Sequence, residues 1–122
     1  DSFEQAKRLQ SLGLVLVIQA NPQFEIARTN AIRRGFNPFL DLLQRQTADY
    51  ARPVLLVHGD SHYFRVDKPL IHPEKKRRME HFTRVETFGH PDAHWVRVTV
   101  NPSDLQLFQI RPEIVEKNRA GR

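Results

Sequence analysis

Three kinds of hydrophobic spacing follow one another along the chain. Phe3, Ala6, Leu9 and Leu12 recur at the helical period, and Gly13 comes directly after them. Residues 2 to 12 are therefore predicted to be a short helix, capped by Ser2 and stopped by the glycine. "LVLVIQ" (residues 14 to 19) is β-branched and apolar without polar alternation, the pattern of a strand covered on both faces in a parallel sheet. Asn37 as N-cap and Pro38 at the first helical position open a second helix, with Phe39, Leu40, Leu43 and Thr47 on one face and Tyr50 a turn later. "PVLLVH" (residues 53 to 58) is again uninterrupted and apolar. Strand, helix and strand make a βαβ unit, for which a right-handed crossover is the rule. Both strand C-termini, near Asn21 and Gly59, then fall on one edge of the sheet, where open parallel sheets hold their ligands.

The second half of the chain alternates instead. "FTRVETFG" (residues 82 to 89) and "HWVRVTV" (residues 94 to 100) read as half-buried strands joined through the turn-rich "GHPDA", which predicts an antiparallel hairpin with Phe88 and Trp95 in the core. "LQLFQI" (residues 105 to 110) adds a strand after the turn at "NPSD", and the polar tail over residues 111 to 122 is expected to fray. Residues 67 to 81 form the long irregular connection. The expected fold class is α/β: a single domain over residues 1 to 122, with a mixed sheet in which a βαβ unit is followed by antiparallel strands.

Composition narrows the function classes. A chain of 122 residues suits one domain with its own core, and no apolar run approaches the roughly 20 residues needed to span a bilayer. The absence of cysteine removes disulfides, thiolate metal sites and a Cys nucleophile, while leaving the compartment open. The chain opens on Asp1 without a signal segment, which suggests a processed or truncated product. The net charge of +5 is spread out except for "EKKRR" (residues 74 to 78), which reads as a solvated loop. A nucleic-acid partner acting through Lys75 to Arg78 is a third-ranked option, since no recognised binding motif accompanies the run.

The candidate chemistry sits in "VLLVHGDSHYF" (residues 54 to 64). In an extended segment His58, Asp60 and His62 share a face if Gly59 does not interrupt the alternation, and their imidazoles and carboxylate suit Zn²⁺, Mn²⁺ or Fe. The alternative is structural: Asp60 bonds a nearby backbone N–H after the glycine, and His58 ends its strand as a satisfied histidine. His72, His81, His90 and His94 are dispersed in loops and turns. Neither a serine-nucleophile elbow nor a glycine-rich phosphate loop is present.

"PVLLVHGDSHYFRVDKPL", followed by "FTRVETFG" and "HWVRVTVNP", resembles the C-terminal half of bacterial calcineurin-like metallophosphoesterases. The family's last motif is Gly-His-x-His after an apolar strand, with both histidines as metal ligands. Here the matching residues are Gly59, Asp60, Ser61 and His62, so the terminal ligand is kept and a carboxylate replaces the first histidine. In "IQANP" the family's earlier histidine is replaced by Ala20, which cannot ligate, and the N-terminal Asp-x-His, Gly-Asp and Gly-Asn-His motifs do not precede residue 14. The resemblance implies half of an αββα sandwich and metal-dependent hydrolysis of a phosphate-ester substrate. It implies Asp60 and His62 as ligands of a divalent metal (Mn, Zn, Fe or Mg), His58 as a catalytic supporting group or phosphate contact, and Arg65 in substrate binding. A chain lacking the other ligands is expected to be inactive alone, with one apolar sheet face met by a missing N-terminal half or by self-association. The alternative function is a non-catalytic α/β binding domain that keeps the fold.

Overall fold

The computed structural model describes residues 1–119. Its first element, α1 (Ser2–Arg8), is capped by Asp1 rather than Ser2: the Asp1 carboxylate accepts the Glu4 N–H and Glu4 reaches back, a reciprocal capping box. The helix stops short of Gly13 because Gln10 takes a left-handed φ of 53°, which leaves Leu9 and Leu12 in solvent. β1 (Leu14–Val17) follows, then the single turn α2 (Ala31–Arg34), then α3 (Asn37–Tyr50) and β2 (Val54–His58). α3 carries Pro38 in its first turn and ends where Ala51 turns left-handed at φ 57°. β1 and β2 run parallel, with Leu14 opposite Val54, so the βαβ unit forms.

β4 (Phe82–Glu86) lies on the other side of β2, also parallel, and β3 (Arg65–Asp67) closes that edge antiparallel to β4. The order β1-β2-β4-β3 makes a mixed sheet. The hairpin expected between residues 82–89 and 94–100 does not form. β5 (Trp95–Val100) pairs instead with β6 (Phe108–Glu113) in a separate antiparallel sheet. The reason lies in β4, where only Thr83 escapes full burial: Arg84 is a charge in the interior, so the polar position that mimicked a solvent-facing residue belongs to a central strand. β6 begins at Phe108 rather than Leu105 because Leu107 sits in the turn at φ 63° with its side chain buried. The tail expected to fray begins inside β6, with Arg111 opposite Arg97, and a 3₁₀ turn follows at Glu116–Asn118. Residues 120 to 122 of that tail lie outside the described residues.

The core fills the space between the sheet and the helices. Val54, Leu56 and Phe82 meet Leu40, Leu43 and Tyr50 of α3 and Phe3 and Ala6 of α1. Tyr50 is buried with its hydroxyl donating to the Ser11 carbonyl at 2.8 Å, which meets the requirement for a partner on a buried phenol. Full cover on both faces holds for β2, apart from the half-buried Val57, but not for β1, whose Val15 and Val17 are exposed. Trp95 is also half exposed, under the Arg97 guanidinium at 5.3 Å, while Phe88 is half-buried and stacks on Phe64 at 4.8 Å. Among the described residues no helix is long and apolar enough to cross a membrane.

Candidate functional site

At their C-terminal ends β1 and β2 remain in contact, with the Gly59 N–H donating to the Gln19 carbonyl at 3.0 Å. The backbone then turns sharply, because Asp60 (φ 82°) and His62 (φ 58°) both adopt left-handed conformations. The alternation on which a shared face for His58, Asp60 and His62 depended therefore stops at Gly59. His58 is buried in the sheet, whereas Asp60, Ser61 and His62 are exposed in the loop. Asn21, buried at the end of the neighbouring segment, anchors that loop: its side-chain amide donates to Ser61 Oγ at 2.8 Å and its backbone N–H to Asp60 Oδ2 at 3.4 Å. The Asn21 side-chain oxygen accepts the Gln23 N–H at 2.9 Å, so both ends of the amide are committed.

His62 is oriented from the opposite side. A carbonyl can only accept, so the 2.8 Å contact between His62 Nδ1 and the His90 oxygen places a proton on Nδ1, and in the neutral ring the lone pair is then on Nε2. Gly89 makes room for this, since a Cβ there would stand 2.5 Å from the imidazole ring. Holding one ring nitrogen through a backbone carbonyl so that the other can ligate is how proteins commonly orient metal-binding histidines.

Next to the loop a charge network centres on the buried Arg84 and Glu86. Arg84, with no exposed side-chain surface, donates to both oxygens of Asp67 at 2.6 and 2.7 Å, to Glu25, and to His58 Nε2 at 3.3 Å. Its guanidinium also lies over the Phe24 ring at 5.1 Å. Arg65 binds the buried Glu86 through two nitrogens at 3.0 and 2.7 Å, and Glu25 at 2.9 Å. Burial favours the uncharged form of each group, yet it is outweighed. Hydrogen bonds to Asp67 and Glu25 hold Arg84 above its usual range, and the Arg84 hydrogen bond with the adjacent positive charges holds Glu25 below the usual carboxylate range. Two guanidiniums thus face three carboxylates, and Glu86 Oε1 is left without a hydrogen-bond partner.

The chain matches no protein-family model, no curated protein and no solved structure.

Among the described residues no three His, Asp or Glu side chains gather closely enough to hold a metal ion. Asp60 and His62 share the exposed loop, two residues of ligating type and not a full ligand set. His58 reaches the loop only through its Nδ1–H, which donates to the Gly59 carbonyl at 3.0 Å, while its Nε2 is taken by Arg84. Arg65 lies on β3 with its charge held by two carboxylates. Sequence reasoning missed Glu25, Asp67, Arg84 and Glu86, although a signal was present. "RVD" at residues 65 to 67 and "RVE" at residues 84 to 86 are complementary when paired antiparallel, each arginine opposite the other's acid.

Proposed function

We propose that the Gly59–His62 loop contributes the last ligands of a metal-dependent phosphoesterase site of the calcineurin-like kind, with His62 Nε2 as the principal donor and Asp60 beside it. The observation that carries this reading is the His62 Nδ1–H bond to the His90 carbonyl, which presents Nε2 from the ligand-binding edge of the parallel strands. In this reading His58 is a positioning residue that fixes the Gly59 carbonyl at the base of the loop. Arg65 meets the substrate phosphate by releasing the half-exposed Glu25, the more easily displaced of its two carboxylates. The remaining metal ligands come from outside these 122 residues.

Calorimetric titration with Mn²⁺ and Zn²⁺ tests the reading: weak binding is expected, and it should vanish in His62→Ala. Aryl phosphate hydrolysis by this chain with added Mn²⁺ is expected to stay at background. Metal-dependent turnover lost in His62→Ala would instead mean that the chain completes the site itself. A second reading, a non-catalytic α/β binding domain, is favoured by the lack of a three-ligand group among the described residues. It prevails if neither metal binds at millimolar concentration.

A further inference from the structure

Arg65 and Arg84 each hold one acid of their own on the facing strand. Arg84 binds Asp67 through Nε and Nη2, one to each oxygen, and Arg65 binds Glu86 through the same two nitrogens. Glu25 is a third acid, shared between them. One of its oxygens, Oε1, accepts from Arg84 Nη2 and stands 2.9 Å from Arg65 Nη1, so two guanidiniums on adjacent strands converge on a single point. Guanidinium N–H groups match the oxygens of phosphates and carboxylates, which makes that point a position for an oxyanion. Glu25 reaches it from the irregular segment between β1 and α2, with its side chain 42% exposed. The backbone on either side is fixed, because Arg33 Nη1 donates to the Phe24 carbonyl at 3.1 Å and to the Ile26 carbonyl at 2.6 Å. The carboxylate can therefore leave by rotation of its own side chain, which uncovers Arg84 Nη2 without moving the segment.

We propose that Arg65 and Arg84 form a binding site for a small oxyanion, and that Glu25 is its built-in occupant, displaced when a phosphate or carboxylate group arrives. With Glu25 swung out, the two arginines are balanced by Asp67 and Glu86, but the N–H groups aimed at the shared point lose their acceptor. A donor stripped of its acceptor in a partly buried place is costly, and an incoming anion restores both the acceptor and the negative charge that Glu25 supplied. Tethered beside the arginines, Glu25 competes at a high effective concentration, so the wild type binds anions weakly and selects those that bring more than one oxygen or more than one charge. The site takes up the substrate role given to Arg65 in the phosphoesterase reading. It uses no metal, however, so the two stand or fall separately.

Titration of the chain with inorganic phosphate in the presence of a chelator, followed through the arginine Nε–H NMR signals, tests the site. In the wild type the Arg65 and Arg84 signals should shift only at high phosphate. Glu25→Ala should lower the phosphate dissociation constant at least about tenfold, and phosphate should raise its melting temperature more than that of the wild type. Glu80→Ala removes an exposed acid elsewhere and should leave phosphate binding as it is in the wild type. Acetate in place of phosphate separates the two sources: the tighter of the two anions on Glu25→Ala names the group the site takes, and either result supports it. Should Glu25→Ala not fold, Glu25→Gln keeps the side-chain volume, gives up the charge and should show the same gain in a smaller measure. Phosphate affinity no higher in these variants than in the wild type overturns the proposal. So do phosphate-induced shifts confined to the exposed basic turn at residues 75 to 78, and the wild-type titration reads this without any variant.

Discussion

Halfway along β2 and β4 the helix-facing side of the sheet changes character. Val54, Leu56 and Phe82 form its apolar half, and His58, Arg84 and Glu86 its charged half, yet all six are exposed by 1% or less. Equal burial conceals opposite energetics. In the apolar half stability scales with the area removed from water, about 25 cal/mol per Å², so each side chain contributes largely by itself. In the charged half each group must first lose its hydration, and only a full set of partners offsets that cost. Removing one member withdraws a partner from several others at once. The two halves should therefore respond differently to substitution: locally in one, collectively in the other.

The largest effect is expected at Arg84. Arg84→Ala empties the volume of a fully buried side chain and takes from the partly exposed Asp67 and Glu25 their main counter-charge, and it should cost about 4 kcal/mol in denaturant unfolding. Arg84→Lys should recover little of this, because a single ammonium cannot reach Asp67, Glu25 and His58 together. Leu56→Ala in the apolar half should cost about 3 kcal/mol by the same measurement, as transfer energy plus a cavity. If Arg84→Ala proves milder than Leu56→Ala, the proposed contrast between the halves is broken.

A smaller effect sharpens the contrast through pH. Glu25 is held below the ordinary value of 4.5: burial pushes it up, but the Arg84 hydrogen bond and the neighbouring charges bring it down further. A carboxylate lowered in the folded state adds stability that is present above its ordinary value and lost as pH falls from there through the folded value. Thermal melts from pH 7 to strongly acid solution should show Glu25→Gln losing its disadvantage against the wild type in that window. Leu56→Ala should keep its deficit at every pH. The smallest effect belongs to Gly89→Ala, which crowds the exposed His62 ring away from the His90 carbonyl. Stability should change by about 0.5 kcal/mol or less, while the ring-nitrogen NMR shifts of His62 should show the Nδ1–H bond lost.

The contrast also explains what was legible in the sequence. Where burial and apolarity coincide, as in "PVLLVH" and the Leu40, Leu43 and Tyr50 face of α3, periodicity located the elements and their contacts. β4 misled because Arg84 and Glu86 are charged residue types held inside, so a central strand imitated an alternating one. β1 misled in the opposite sense: uninterrupted apolarity suggested cover on both faces, but it lies at the sheet edge with its odd-numbered valines in solvent. For the candidate site, spacing brought attention to Asp60 and His62 but not to their left-handed backbone, which depends on contacts from Asn21 and His90 far away in the chain. Composition carries no trace of such non-local anchoring.

The reach of Arg84 has a further consequence, in the order of folding events. Its guanidinium gathers partners 17, 26 and 59 residues away, and it cannot leave water until those segments have arrived. The apolar half of the sheet is then expected to assemble first and the charged corner to close late, after the folding barrier is crossed. On that order Glu25→Gln should leave the refolding rate in stopped-flow experiments nearly unchanged and chiefly accelerate unfolding, shortening the lifetime of the native state more than it slows its formation.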